Sequence, residues 1–215
     1  MRKKMLLVAF VLVAPMLPMK AAAAAPPTEE GVSGRITFRP HTHTEGMTPS
    51  GAPTLFATEP APAPLEEGDY SYSAIPCDRP APFNDVSLNF NPAYPGLDDP
   101  ASTRSLIELT IVDAEAGTVE GTVTSILCET QEQIVYSFEG EFVNVKDNLA
   151  TFRGTFEIVS GTGRFSDLEG SGRFRGALTC LQPVLARAGA ESCADLGFYT
   201  DAVMTLRGSF SDPTA

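Results

Sequence analysis

Apolar and polar residues alternate along most of the second half of the chain. In the segment 136–142, for example, Tyr136, Phe138 and Phe142 alternate with Ser137, Glu139 and Glu141. A period of two is typical of a strand with one buried and one solvated face. The pattern predicts about eight strands, at residues 32–38, 86–90, 107–111, 119–123, 134–142, 152–158, 174–178 and 204–210. Helix is nearly absent, with a turn or two expected between Pro183 and Ala190, so we expect an all-β domain.

A short repeat recurs in five of these strands. It consists of a charged residue, a glycine, any residue and an apolar residue, at 120–123, 139–142, 153–156, 175–178 and 207–210. Each glycine falls on the apolar face, where it lets a strand coil tightly while a neighbouring aromatic ring covers the gap. The repeat favours a closed antiparallel barrel, and a two-sheet sandwich is the alternative.

The most distinctive stretch runs from Phe152 to Gly176 and contains the turn Ser160-Gly161-Thr162-Gly163-Arg164-Phe165. Its glycines allow a tight reversal, and Phe165 is expected to tuck under it. The turn resembles the G-T-G-x-F turn of the allene oxide cyclase-like or dirigent-like β-barrel family, and the chain looks like a small secreted bacterial member. This resemblance implies an eight-stranded antiparallel β-barrel, often oligomeric, with an apolar cavity. No catalytic residue of the family can be matched to a position in this sequence.

Proline content divides the chain, because 14 of the 18 prolines lie between Pro26 and Pro100. Such a stretch cannot pair inside a sheet and has little to bury. We therefore predict a signal peptide at 1–25, a first strand region at 26–38, a Pro-rich loop or linker at 39–83 and the main β-barrel body at 84–215.

The first 25 residues have the three parts of a secretory signal peptide. Arg2, Lys3 and Lys4 precede an apolar run of ten residues, and Ala21–Ala25 offer small residues for cleavage. The apolar run is too short to span a bilayer, which needs about 20 residues. We expect a secreted or periplasmic protein without stable membrane insertion.

Charge excludes nucleic acid as an expected partner. The chain carries 27 acidic and 15 basic residues, and cleavage of the signal peptide would remove four of the basic ones. A strongly acidic protein lacks the Lys and Arg that replace phosphate counterions.

Four cysteines in an exported chain predict two disulfides, with four buried thiols as the alternative. Of the three pairings we favour Cys180–Cys193, which closes a short loop and could staple a lid over one barrel end. The second pair, Cys77–Cys128, follows by elimination.

Two further sets of residues are candidates for binding. His41, His43 and Glu45 point the same way in an extended segment, which suits a metal, and a solvated loop is the alternative. No other cofactor is expected. The apolar face either forms a packed core or lines a ligand cavity, with Tyr136, Phe138, Phe142, Phe152, Phe156, Phe174, Met204 and Phe210 as its residues.

Charged residues alternate with these apolar ones, and we expect them outside the barrel as cross-strand ion pairs. The set comprises Glu139, Glu141, Arg153, Glu157, Arg173, Arg175 and Arg207.

The function that these patterns favour is that of a secreted, non-catalytic β-barrel that binds a small apolar ligand or a protein partner. Two alternatives stay open: an isomerase or cyclase that uses the same cavity, and a structural cell-envelope protein with a filled interior. Whether the protein forms a homo-oligomer is also left open.

Overall fold

The computed structural model describes residues 31–43, 59–73, 87–97 and 101–215. It contains ten strand segments, two short helices and one 3-10 turn at Gly163–Phe165. The strands are β1 Val32–Arg39, β2 His41–His43, β3 Gly68–Ser73, β4 Ser87–Asn91, β5 Ala101–Asp113, β6 Thr118–Leu127, β7 Gln133–Lys146, β8 Leu149–Gly161, β9 Glu169–Thr179 and β10 Asp201–Asp212. The helices are α1 Gln182–Ala188 and α2 Cys193–Leu196.

The strands close into a ring in which every neighbouring pair is antiparallel. Around the ring the order is β1, β4, β5, β6, β7, β8, β9 and β10, and β10 pairs with β1 again. These are the eight strands that the alternation predicts. The all-β, eight-stranded antiparallel barrel is therefore confirmed.

Two short strands, β2 and β3, complete the wall at one end. β2 continues the register of β1 along β10 after Pro40, whose carbonyl oxygen accepts a 2.9 Å hydrogen bond from the Met204 N–H. β3 lies in line with β4, because both pair with the same edge of β5. Ten segments thus fill eight positions. Both short strands fall within residues 39–83, where the sequence predicts a loop.

The alternating apolar residues fill the interior, and the glycines among them allow tight coiling. At Gly176, a Cβ atom would overlap the ring of Phe152, which already occupies that space. Phe152 is 1% exposed and pairs in register with Gly176 on the adjacent strand. An aromatic ring therefore covers the glycine, as the repeat predicts.

One end of the barrel, here called the Phe165 end, is closed by the glycine-rich turn. Gly163 has φ +61°, which favours glycine, and the turn buries Phe165 completely. The Phe165 ring lies 5.1 Å from that of Tyr94 and 6.2 Å from that of Phe90, centroid to centroid. The expectation that Phe165 tucks under the turn is confirmed.

The opposite end, here called the disulfide end, is covered by the excursion between β9 and β10. The Cys180–Cys193 disulfide joins its two sides, as predicted. Val184, Leu185 and Cys193 are buried, and the Cys193 N–H donates to Oδ1 of Asn148 in the β7–β8 turn at 2.9 Å. Cys128 is also disulfide-bonded, and its predicted partner Cys77 lies outside the described residues. Neither α1 nor α2 is long and apolar enough to cross a membrane, and the described ranges hold no other helix that is.

Candidate functional site

The residues predicted to line a cavity lie together on the inner face of β7–β10. Seven of these eight residues are at most 4% exposed, and the eighth, Phe142, is half-buried. Their rings contact one another: Phe138 and Phe174 lie 5.1 Å apart, Phe152 and Phe174 5.7 Å, and Tyr136 and Phe156 5.9 Å, between centroids. They form a continuous aromatic interior. That they also bind a ligand stays a prediction.

Four buried hydroxyl groups interrupt this apolar interior. They belong to Thr103, Ser105, Ser125 and Tyr136, and each side chain is at most 3% exposed. None of the four oxygens has a hydrogen-bond partner in the described part of the chain. We call them the interior hydroxyl cluster.

The strand register brings the cluster together. Ser105 on β5 faces Ser125 on β6 directly, and Thr103 lies two residues earlier on the same face of β5. On the next strand, β7, Ile134 faces Ser125, and Tyr136 follows it on the same face. Directly opposed residues have Cβ atoms about 5 Å apart, so the serine hydroxyls are neighbours.

A buried hydroxyl without a partner is costly, by about 1–3 kcal/mol each. Burial also raises the pKa of Tyr136 far above its ordinary value, so its phenol stays neutral. The cluster therefore offers neutral donors and acceptors to a polar group inside the barrel.

Beside this cluster, one edge of β5 is shared by two strands. On the β3/β4 side, β5 pairs with β3 from Leu106 onward and with β4 at Ser102 and before. No described residue pairs with residues 103–105 at that edge. Thr103 and Ser105 thus lie where one wall position passes from β3 to β4.

Sequence reasoning found Tyr136 and missed the other three members. The signal was present, because Thr103 and Ser105 continue the inward parity of Ile107, and Ser125 continues that of Val123. Their polar side chains broke the apolar alternation, so these strands were predicted too short.

The Phe165 end is held by an ionic network. Nε of Arg164 donates to Glu132 Oε2 at 2.7 Å, and Nη1 donates to the Gly96 carbonyl oxygen at 2.6 Å. Burial alone would raise the pKa of Glu132, but hydrogen bonds from the Arg164 N–H, Thr130 and the Arg164 side chain outweigh it and lower that pKa.

Asp212 is held in the same way and is 1% exposed. The Tyr94 hydroxyl lies 2.5 Å from Oδ2 of Asp212 and 2.7 Å from the Arg164 carbonyl oxygen. Burial would raise the pKa of Asp212, but hydrogen bonds from Tyr94 and Thr214 lower it below its ordinary value.

The outer face of β6–β10 carries a second concave feature, a groove of about 1190 Å³. Glu120, Glu139 and Glu141 line one side, and four arginines, Arg153, Arg173, Arg175 and Arg207, line the other. All seven are exposed. Glu141 and Arg153 form the expected cross-strand ion pair at 3.1 Å. Between β8, β9 and β10, however, arginine faces arginine, which differs from the expected alternation of sign.

The predicted metal residues are only partly within the described chain. His41 and His43 lie in β2, and Glu45 lies outside the described residues. In the described ranges no three His, Cys, Asp or Glu side chains are placed to hold a metal. The metal site stays a prediction.

Comparisons with known proteins give structural neighbours only. No protein-family model matches the chain, and no curated protein matches it. A solved structure of the pterocarpan synthase dirigent protein GePTS1 is 11% identical, with a TM-score of 0.43 over 87% of this chain and 88% of that one. The pterocarpan synthase dirigent protein PsPTS1 is 13% identical, with a TM-score of 0.40 over 86% of this chain and 96% of that one. The chain's structural neighbours are thus dirigent proteins at low sequence identity.

Proposed function

We propose that this protein is an exported, non-catalytic β-barrel that binds a small, largely apolar ligand in its interior. The observation that carries the proposal is the interior hydroxyl cluster, four hydroxyls that are buried beside an aromatic surface and have no hydrogen-bond partner among the described residues. Binding sites for small molecules are mostly apolar and contain a few placed polar groups. The aromatic interior together with the interior hydroxyl cluster has that composition.

The ligand that fits this surface has an apolar body and one carbonyl or hydroxyl group. Its body would contact the rings of Phe156 and Phe174, and its polar group would take hydrogen bonds from Tyr136, Ser105 and Ser125. A site with buried polar groups discriminates against a ligand that leaves them unpaired. Hydrocarbons without a polar group should therefore bind less tightly.

Export is part of the proposal. The leader-like segment at 1–25 and the Cys180–Cys193 disulfide both suit a secreted or periplasmic protein. A carrier in such a compartment would bind its ligand reversibly and would not need a catalytic group.

A structural role in the cell envelope is the second candidate, and the ring-to-ring contacts of the interior favour it. Eight-stranded barrels lie at the border between a filled interior and one that holds a small ligand. A filled barrel would bind no apolar probe, so the two candidates differ in one measurable property.

Titration with the fluorescent ketone 6-propionyl-2-(dimethylamino)naphthalene tests the proposal. Its emission depends on polarity and on hydrogen bonding to the ketone oxygen. Ligand-stripped protein should bind one probe per chain at saturation. Tyr136→Phe and the double variant Ser105→Ala/Ser125→Ala should each weaken binding about tenfold, which corresponds to loss of one hydrogen bond.

Ser137→Ala is the matched control, because Ser137 is next to Tyr136 but lies on the outer face of β7. It should bind the probe as the parent does. Absence of saturable binding to the parent, or equal binding by all four proteins, would contradict the proposed site.

A further inference from the structure

The charges on the outer face of β6–β10 lie in two rows that run across the strands. Acidic residues occupy β6 and β7, and arginines occupy β8 to β10. Taken from β6 to β10 in register, the first row is Glu120, Glu139, Thr155, Arg173 and Arg207, and the second row is Thr118, Glu141, Arg153, Arg175 and Thr205. All ten residues line the outer groove.

These rows set like charges directly opposite each other. Glu120 faces Glu139, Arg173 faces Arg207, and Arg153 faces Arg175 on adjacent strands. Such pairs destabilise a sheet. Arg153 is partly compensated by its ion pair with Glu141. Arg173, Arg175 and Arg207 have no ion pair within the described ranges, so the described residues of one chain leave these three charges uncompensated.

The first row is antisymmetric about its middle residue, Thr155. From β6 to β10 it reads acidic, acidic, neutral, basic, basic. A two-fold axis in the contact plane and parallel to β8 would place β6 of one copy over β10 of another, and β7 over β9. Glu120 would then face Arg207, and Glu139 would face Arg173.

The second row is matched by the same operation. Glu141 would face Arg175 of the second copy, and Thr118 would face Thr205. Each contact occurs twice in a two-fold assembly, so six Glu–Arg pairs would cross the interface. Arg153 alone would meet its own counterpart, and Glu141 of its own chain is beside it.

We propose that the outer face of β6–β10 binds a second copy of this chain to form a two-fold symmetric dimer. A self-complementary patch is what such an interface requires. An anionic ligand would compensate the arginines but would be repelled by the three glutamates across the groove. A second copy compensates both sides at once, and for this reason we favour it.

Charge reversal tests the interface in the full mature protein, with sedimentation velocity as the readout. The parent should dimerise in 0.1 M salt, where the Debye length is about 10 Å. The dimer should be weaker in 1 M salt, where the Debye length is about 3 Å. Arg173→Glu/Arg207→Glu and Glu120→Arg/Glu139→Arg should each weaken the dimer by at least about 100-fold, because like charges then meet.

Mixing the two reversed variants should restore assembly, now as a heterodimer, since one face is wholly acidic in its first row and the other wholly basic. The quadruple variant carrying all four reversals should dimerise with itself. Arg187→Glu/Glu191→Arg, on the exposed excursion between β9 and β10, is the matched control and should leave the dimer unchanged.

A parent that stays monomeric in 0.1 M salt would overturn the proposal, as would a dimer that both reversals leave intact. Arg-dependent binding of inorganic phosphate to a monomer would assign the groove to an anion instead. Probe binding in the barrel interior is measured separately, on the opposite face of the same strands. A negative result for dimerisation therefore does not bear on the proposed ligand site. A negative result for probe binding likewise does not bear on the proposed dimer.

Discussion

The Tyr136 hydroxyl is buried among aromatic rings without a hydrogen-bond partner in the described part of the chain. A phenol in that position is unfavourable in an empty barrel and favourable in a barrel that holds a polar ligand atom. At the scale of residues, a filled core and a binding site therefore differ in whether the Tyr136 hydroxyl oxygen has a hydrogen-bond partner in a bound ligand.

Tyr136→Phe should stabilise the ligand-stripped protein. Removing an unsatisfied hydroxyl while keeping the ring should raise the free energy of unfolding by about 1 kcal/mol. Urea denaturation measures this change, and Ser137→Ala should shift it by less than about 0.5 kcal/mol. A clear loss of stability in Tyr136→Phe would mean that the hydroxyl has a partner in the unliganded protein.

Gly176→Ala should destabilise the barrel, because the new methyl group would overlap the ring of Phe152. Overpacking of this kind costs about 1–3 kcal/mol. The cost should fall when Phe152→Leu is combined with it, since the smaller side chain makes room. Equal cost in both backgrounds, measured by thermal unfolding, would show that Phe152 is not the obstacle.

The inward or outward direction of a side chain was predictable where apolar and polar residues alternate strictly along a strand. Alternation placed Tyr136 and Phe174 inside, and the repeat explained why glycine and an aromatic ring face each other. Ser105 and Ser125 continue the inward parity of their strands, but a serine at such a position looks the same in sequence as the end of a strand, and for this reason alternation of apolar residues misses them.

At the scale of elements, the Phe165 end is a turn held by two carboxylates with lowered pKa values, Glu132 and Asp212. A folded-state pKa below the unfolded value means that the interaction stabilises the fold at neutral pH. That contribution is complete above the unfolded pKa, about 4, and is lost as pH falls through the folded pKa.

The protein should therefore lose stability steeply below about pH 4. Asp212→Asn should be less stable at pH 7, and its stability should depend less on pH between about 5 and 2 than that of the parent. Chemical denaturation at a series of pH values measures both. Glu115→Gln, in the exposed β5–β6 turn, is the control, and an identical pH dependence for parent and Asp212→Asn would refute the role of Asp212.

Elements were predictable when they were long and regular. All eight strands of the ring were expected, as was the Cys180–Cys193 loop, because a short separation favours that pair. The short strands β2 and β3 were not, because β2 has three residues and β3 follows a proline-rich segment. Their position is decided by pairing with β10 and β5, which are far away in sequence.

At the scale of the whole molecule, one barrel presents two different surfaces on the two sides of the same strands. The inner side of β7–β10 is aromatic and next to the hydroxyl cluster, and the outer side is divided into acidic and basic halves. Alternation alone predicts that the sides differ. The antisymmetric order of the outer charges appears only with the strand register, which no single segment of sequence contains.

The most direct test of the proposed function is the mass of the native protein, purified from the exported fraction of its own host. Native and denatured mass spectra would be compared for the parent and for Tyr136→Phe. We predict that each native parent chain carries an excess of a few hundred daltons that is lost on denaturation and is reduced in the variant. A native mass equal to a whole number of bare chains would contradict ligand binding and would favour the filled barrel of a structural protein.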